Sequence, residues 1–488
     1  MTKMPDSLTK ALNDSYHIQK SKKVDQTAFG ADDDSVVYQL FTCYGGVLFA
    51  WTDRGLLAFV NIAPRVGTND ALFNVSTYIP NVTLHLTKIP FGRVVRLEMN
   101  NTGTHLALMC KSYCYVVEIP PIFRIFKSLN DIDSEYLCKC YDVNACEYES
   151  NNSAYLCVRW MPDFSGSRFL LTLRSDNSLR IYKIDYSSCN IIDSVFCNGD
   201  SAKFTSNIMS TLSNLGETAV SFDIAPCRNC TSNISRAPMY TVFVLHGNGD
   251  VYSIILDAFG CRKSISGPLI MHPPAEDNYG LDSCDLIAIS SSKHEEAFTC
   301  LIIATSYGNL YHCIVQSDNL EGEDDDFSLD SQFSLFVYEN VELEFSLSTI
   351  DLEKKTVKEC TFLSTVFLCK DSFASDIYHC THSSGIHSIH LQWLRELEIY
   401  NKESGDSSDE LLTGYDQACI VKYRLCTTLG PSERRSSVKG FATMFESPLK
   451  NLLLILLPNF NLEIIQPSGT PISRAANSSL TPLAQKIY

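Results

Sequence analysis

The chain has 488 residues, of which 45% are hydrophobic and 19% are charged, and its formal net charge is −17. This balance is typical of a folded protein, and the length exceeds the roughly 250–300 residues at which one compact core stops growing. The acidic charge disfavours direct binding to nucleic acid or to an anionic membrane surface, because both depend on clustered lysine and arginine.

Residues 1–35 contain no apolar segment of the kind found in a secretory signal, and they end in an acidic triplet. We predict that they form a flexible leader. Without export, we expect most of the 20 cysteines to be free thiols. The longest apolar block, residues 452–457, is far shorter than the about 20 residues of a membrane helix, so we expect no membrane insertion.

From residue 36 onward, the sequence repeats a unit of an apolar run, a short turn and a second apolar run, which is the pattern of a β-hairpin. Seven hairpins are predicted, with turns near Gly55, Ser112, Asn177, Gly249, Gly308, Gly385 and Asn459. These turns lie 57 to 77 residues apart, which is longer than the ~40–45 residues of a compact propeller blade. The excess falls in polar stretches such as 321–330 and 402–410, which we interpret as surface insertions.

Seven hairpins without long amphipathic helices between them predict an all-β fold: a single seven-bladed β-propeller with long inter-strand insertions, over residues 36–466. The alternative is two β-sandwiches in tandem, but residues 215–260 indicate continuous strands where a linker would be needed. We expect the ring to close by pairing of residues 36–41 or 47–60 with residues 452–465. The polar residues 467–488 are predicted to form a disordered tail.

The sequence offers no catalytic motif, since it contains neither a Walker A loop nor a nucleophile elbow. Cys227 and Cys230 lack the second ligand pair that structural zinc requires, so two free thiols are predicted there. The histidine-rich stretch 378–390 favours packed, hydrogen-bonded histidines, because adjacent strand residues face opposite sides of a sheet. We therefore expect no enzymatic activity, no cofactor and no bound metal.

One connector between two apolar strands is dense in polar side chains, namely Glu276, Asp277, Asn278 and Tyr279. Loops held by a rigid scaffold often carry binding functions, and these four residues are the candidate partner contacts. The alternative is a structural turn in which Asp277 and Asn278 accept hydrogen bonds from local backbone amides. The sequence leaves both interpretations open.

Several segments resemble the N-terminal propeller of the nucleoporin 88 family, over about residues 93 to 445. The resembling segments are residues 94–109, 175–184, 215–226, 267–284, 303–315, 341–347 and 378–394. The resemblance implies a structural, non-catalytic nucleoporin on the cytoplasmic face of the nuclear pore complex. It further implies a propeller that docks other nucleoporins, notably the folded domain of nucleoporin 98 and the tail of nucleoporin 214.

The resemblance also implies a role in messenger-RNA export and in exportin-dependent nuclear export. Members of the family carry a long C-terminal coiled coil, and no sustained heptad pattern follows Gln466 in this sequence. The alternative function is that of a generic propeller adaptor, such as a substrate receptor of a ubiquitin ligase. A propeller hydrolase would instead need carboxylates or histidines that converge at the mouth of the channel.

Overall fold

The fold is that of a computed structural model, which describes a large part of the chain in separate ranges. The described residues are 2–3, 38–52, 55–59, 81–124, 134–143, 153–162, 168–185, 188–197, 218–227, 238–274, 279–290, 299–317, 333–343, 345, 365–394, 397, 418–427, 437–446, 450–457 and 462–466. Within these ranges the structure is built almost entirely of β-strands, and it has no helix of the length and apolar character that crossing a membrane requires.

The described ranges contain thirty strands, β1 to β30 in chain order. The first fifteen are β1 Thr2–Lys3, β2 Phe41–Tyr44, β3 Val47–Thr52, β4 Gly55–Phe59, β5 Asn81–Leu86, β6 Val94–Met99, β7 His105–Cys110, β8 Cys114–Glu118, β9 Glu135–Cys138, β10 Cys140–Asp142, β11 Tyr155–Trp160, β12 Phe169–Arg174, β13 Ser178–Ile184, β14 Cys189–Phe196 and β15 Ala219–Cys227. The others are β16 Met239–His246, β17 Val251–Asp257, β18 Arg262–Ser266, β19 Ile270–His272, β20 Ser283–Ser290, β21 Thr299–Thr305, β22 Asn309–Ser317, β23 Phe333–Glu342, β24 Phe367–Lys370, β25 Ile377–His382, β26 Gly385–His390, β27 Ile420–Cys426, β28 Gly440–Glu446, β29 Lys450–Leu456 and β30 Leu462–Gln466. Within the described ranges, a 3-10 turn covers Pro121–Phe123.

The strands form seven sheets, and each sheet is one blade of a ring. In sheet order from the inner strand outward, the blades are β2-β3-β4-β5-β9, β6-β7-β8-β10, β11-β12-β13-β14, β15-β16-β17-β18, β20-β21-β22-β23-β19, β24-β25-β26-β27 and β28-β29-β30-β1. Pairing is antiparallel except at β9 and β19, which add a parallel strand to the outer edges of blades 1 and 5. The predicted seven-bladed β-propeller is confirmed.

Every predicted hairpin corresponds to the two central strands of one blade. The pairs are β3–β4, β7–β8, β12–β13, β16–β17, β21–β22, β25–β26 and β29–β30. Central strands are covered on both faces, and β7 and β12 are buried at every position. Such strands form continuous apolar runs, so they give a stronger sequence signal than the partly exposed outer strands.

The closure of the ring differs from the prediction. Blade 7 is completed by β1, which pairs with β30, whereas β2 and β3 belong to blade 1. Among the described residues, neither 36–41 nor 47–60 pairs with 452–465, because both edges of β29 are occupied by β28 and β30 and the outer edge of β30 is occupied by β1. Blade 1 meets blade 7 through its inner side instead, where the Leu40 amide donates to the Lys439 carbonyl at 3.0 Å.

The proposed division into a leader, a propeller and a tail is still a prediction. Of residues 1–35, only Thr2–Lys3 is described, and residues 467–488 lie outside the described ranges, as do the insertions 321–330 and 402–410. The strands of the ring other than β1 fall between Phe41 and Gln466.

Cys227 is disulfide-bonded, so the predicted free thiol there is wrong, and Cys230 is not among the described residues. The other described cysteines are free thiols.

Apolar packing joins each blade to its neighbours. The buried apolar residues group into seven clusters, and each cluster draws its members from two adjacent blades. One cluster contains Leu57 and Phe59 of blade 1 together with Leu452 and Leu454 of blade 7, so it closes the ring. Burial of such side chains contributes about 1.5–3 kcal/mol each, which makes the blade interfaces the main source of stability.

Histidines of blade 6 are packed and hydrogen-bonded, as predicted. The Nδ1 atom of His379 is 2.9 Å from Ser388 Oγ, and its Nε2 atom is 3.0 Å from a carboxylate oxygen of Asp371. His382 Nε2 and His387 Nδ1 are 2.8 Å apart. Burial lowers the pKa of His387 to about 4, and burial together with His387 lowers the pKa of His382 well below its ordinary value.

Removal of a buried aromatic ring tests the blade packing. Trp393 is 1% exposed and packs in the cluster between blades 5 and 6. We expect Trp393→Ala to lower the free energy of unfolding by about 3–5 kcal/mol, because it leaves a cavity that the surrounding strands cannot fill. Denaturant unfolding measures this loss. Phe259→Ala, at an exposed turn, is the matched control and should change stability by less than about 0.5 kcal/mol.

Buried neutral histidines make stability depend on pH. His105 resembles His387 in that burial lowers its pKa to about 4. The unfolded chain binds these protons near pH 6.5 and the folded chain only near pH 4, so stability is lost as the pH falls through that window. We expect each of these two histidines to lower the free energy of unfolding by about 2 kcal/mol at pH 5 relative to pH 7.

Thermal or denaturant unfolding at pH 7 and pH 5 measures this dependence. His387→Gln should reduce the difference between the two pH values, and His272→Gln, at an exposed position, should leave it unchanged. An unreduced difference in His387→Gln would mean that other groups cause the acid sensitivity.

Candidate functional site

The predicted connector lies between the outer edge of blade 5, at β19, and its inner strand, β20. Glu276, Asp277 and Asn278 fall outside the described residues, so their part in the prediction is untested. Tyr279 is described and half-buried, and its ring packs edge-on against that of Tyr311, with centroids 5.5 Å apart. The C-terminal end of the connector is therefore held against blade 5 by the contact between Tyr279 and Tyr311.

Backbone hydrogen bonds hold the end of the connector in place. The Ser283 amide donates to the Gly280 carbonyl at 2.9 Å, and its hydroxyl donates to the same oxygen. Gly249, in the turn between β16 and β17, has φ +93°, and a side chain there would collide with the Tyr279 carbonyl oxygen. The connector of blade 5 is thus packed directly on a turn of blade 4.

Two exposed apolar side chains lie on the turn that contains Tyr279 and on the turn joined to it. Leu281 is 61% exposed and Tyr307, in the turn between β21 and β22, is 47% exposed. Their turns are joined, since the Ser306 amide donates to the Asp282 carbonyl at 2.9 Å. We call Tyr279, Leu281 and Tyr307 the connector patch. An exposed apolar group fixed on rigid turns is suited to protein contacts, and the sequence pattern alone did not reveal Leu281 or Tyr307.

The mouth of the central channel opens on the same face of the ring, where inner strands begin and central hairpins turn. A cavity of about 630 Å³ lies there, lined by residues that include Phe91, Tyr113 and Leu156. Phe91 is largely exposed, and its ring packs edge-on against Tyr113 with centroids 5.4 Å apart. This face therefore carries apolar groups at two places, the connector patch and the channel mouth.

Charged side chains inside the channel are engaged with one another. Arg159 of blade 3 lies 3.6 Å from a carboxylate oxygen of Glu98 in blade 2 and 3.6 Å from one of Asp223 in blade 4. Lys370 of blade 6 is 2.7 Å from Asp223. Burial alone would raise the pKa of Asp223, but Lys370 and Arg159 hold it below its ordinary value. These groups tie inner strands together across the channel.

Asp285 of blade 5 completes this network. Its carboxylate accepts a hydrogen bond from Ser221 Oγ at 2.6 Å, from blade 4, and another from the Leu368 amide at 2.7 Å, from blade 6. The described channel carboxylates thus serve as bridges between blades, in ion pairs and backbone hydrogen bonds. Their arrangement explains how the inner strands are aligned.

Comparisons with known proteins identify a family and two solved structures of similar fold. The family model Nup88, described as a nuclear pore component, matches residues 11–471. The fold is similar to a chain in the crystal structure of the Chaetomium thermophilum heterotrimeric Nup82 NTD–Nup159 TAIL–Nup145N APD complex, with a TM-score of 0.61, 11% identity, and coverage of 88% of this chain and 95% of that one. It is also similar to a chain of the yeast heterotrimeric Nup82–Nup159–Nup116 nucleoporin complex, with a TM-score of 0.50, 10% identity, and coverage of 88% and 98%.

Proposed function

The chain belongs to the Nup88 family of nuclear pore components, and from this membership we propose that it is a non-catalytic scaffold on the cytoplasmic face of the nuclear pore. In this role the propeller docks other nucleoporins and thereby supports messenger-RNA export and exportin-dependent export. The family match over residues 11–471 is the observation that carries the proposal. The ring itself supports it, because a rigid propeller presents fixed turns to partners.

The partners that we propose are nucleoporins of two kinds. The two similar structures are heterotrimers, one with the Nup159 tail and the Nup145N APD and the other with Nup159 and Nup116. By analogy, this chain would dock a tail segment like that of nucleoporin 214 and a folded domain like that of nucleoporin 98. The two similar structures share only 11% and 10% sequence identity with this chain, so their contact residues are not transferred to it.

We assign one of these contacts to the connector patch and to the adjoining Glu276, Asp277 and Asn278. The patch offers the exposed apolar surface of Leu281 and Tyr307 on turns that are fixed by hydrogen bonds. The two acidic residues beside it, in a chain of net charge −17, favour a nucleoporin surface with basic groups around an apolar centre. The opposing interpretation, a purely structural turn, predicts that partner binding does not depend on these side chains.

Affinity capture from nuclear envelopes tests the function as a whole. The tagged 488-residue chain should recover nucleoporins of the two proposed kinds. Recovery of cullins and their adaptors in their place would favour the ubiquitin-ligase alternative and contradict the proposal.

Disruption of the apolar part of the patch tests the docking site. We expect the double variant Leu281→Asp and Tyr307→Ala to weaken nucleoporin binding at least tenfold, or about 1.4 kcal/mol, because it removes exposed apolar contacts. Calorimetry or biolayer interferometry with the purified partner gives the affinity. Phe259→Asp is the matched control, since Phe259 is also exposed but lies in the β17–β18 turn, on the opposite face.

Charge reversal tests the acidic part of the connector. The double variant Glu276→Lys and Asp277→Lys should weaken docking and reduce its dependence on salt, because rim charges act mainly through long-range attraction. The melting temperature should stay at the wild-type value. Binding at full strength with unchanged salt dependence would show that the connector is a structural turn.

A further inference from the structure

A mixed cluster of ligand-type side chains lies where blade 5 contacts blade 6. It consists of His312 on β22, Glu339 on β23 and Cys419, which immediately precedes β27. The imidazole nitrogen, carboxylate oxygen and thiol sulfur all lie within 4.8 Å of one another. His312 and Glu339 are register partners across the two strands, and the Cys419 amide donates to Glu339 Oε1 at 2.9 Å. Backbone pairing therefore fixes the relative positions of all three groups.

Hydrogen bonds from neighbouring side chains orient His312 and Glu339. The Nε2 atom of His312 lies 2.7 Å from the Tyr378 hydroxyl, which leaves Nδ1 pointing toward Glu339 at 3.0 Å. The indole N–H of Trp393 donates to Glu339 Oε2 at 3.1 Å. Metal-binding histidines and carboxylates are held by outer hydrogen bonds of this kind.

The three donor atoms are of the types that zinc prefers. Zn²⁺ binds thiolate sulfur at about 2.3 Å and imidazole nitrogen at about 2.0–2.1 Å, which places neighbouring ligand atoms roughly 3.4–3.6 Å apart in a tetrahedron. The ligand atoms lie within 4.8 Å of one another, so zinc binding requires them to approach by up to about 1.4 Å. The Glu339 side chain is 15% exposed, so an ion can approach from solvent, and water can act as the fourth ligand.

The donor set also suits a divalent cation. Glu339 supplies a carboxylate oxygen and Cys419 a sulfur, and a bound dication stabilises the deprotonated form of a thiol ligand, whose proton is released to solvent.

We propose that His312, Glu339 and Cys419 bind one zinc ion, which links blade 5 to blade 6. The His312 Nδ1 atom, a Glu339 carboxylate oxygen and the deprotonated Cys419 sulfur are the protein ligands. The ligands are separated by 26 and 79 intervening residues, so the site has no local sequence motif. The competing explanation is a hydrogen-bonded network that binds no metal, and the following measurements distinguish the two.

Metal analysis of the purified full chain is the first measurement. After incubation with Zn²⁺ and desalting under reducing conditions, mass spectrometry of the metal should find about one zinc per chain in excess of that bound by Cys419→Ser. Cys261→Ser, which removes an exposed free thiol, is the matched control and should bind as much zinc as the wild type. Cys227→Ser should also bind as much zinc as the wild type, and this result would exclude Cys227 and Cys230 as the ligands of the bound zinc.

Cobalt substitution is the second measurement. The Co²⁺-loaded wild type should show thiolate-to-cobalt charge-transfer absorption and the intense visible bands of a tetrahedral ion. The charge-transfer band should disappear in Cys419→Ser. Glu339→Gln should weaken Co²⁺ binding at least tenfold, and this variant decides the question if Cys419→Ser does not fold.

Three results would overturn the proposal. The first is a wild-type chain that binds no zinc after desalting. The second is a cobalt charge-transfer band that persists unchanged in folded Cys419→Ser, which would indicate adventitious binding by other thiols only. The third is a folded Glu339→Gln variant that binds zinc and cobalt as tightly as the wild type.

Discussion

The burial of blade faces against neighbouring blades is the constraint on which this structure depends. A four-stranded sheet with apolar residues on both faces would leave most of them in water if it stood alone. Seven sheets in a ring remove this cost, since every face meets another face, and the seven apolar clusters fall one at each contact between blades. The cluster of blades 7 and 1 completes the circle, so the described part of each blade packs against a neighbour on both sides.

Polar groups perform a different task at the centre of the ring. The inner strands of neighbouring blades are linked there by contacts of Arg159, Asp223 and Asp285. Buried charges of this kind contribute little net stability, because desolvation offsets their attraction. The network therefore links inner strands whose stability comes mainly from the apolar clusters.

Because the apolar clusters and the inner polar network hold the ring together, the turns and connectors are available for contacts with partners. The residues of the connector patch lie at strand ends, where the ring holds them without needing them for its core. A partner that docks there meets a surface that does not have to be ordered on binding, and a rigid surface lowers the entropic cost of association. The closed ring of blades therefore suits the proposed scaffold role in the nuclear pore.

Much of the fold could be predicted from the sequence because the central hairpins are buried on both sides. Their continuous apolar runs, interrupted by turn residues such as Asn177 and Gly249 with positive φ, are local signals. The outer strands carry weaker signals, since β14 is exposed at most positions, and the parallel strands β9 and β19 are too short to be recognised. The candidate site was predicted only in part, because exposure of Leu281 and Tyr307 depends on packing between turns that are distant in sequence.

The sequence by itself determined the number of blades, the all-β class and the family, because each of these depends on residues that are near one another along the chain. Only the tertiary structure decided how the ring closes and which side chains meet. Thr2–Lys3 pairs with Leu462–Gln466, and His312 lies beside Glu339 and Cys419. Contacts of that kind join residues that are tens to hundreds of positions apart, and no local pattern of apolar or polar residues encodes them.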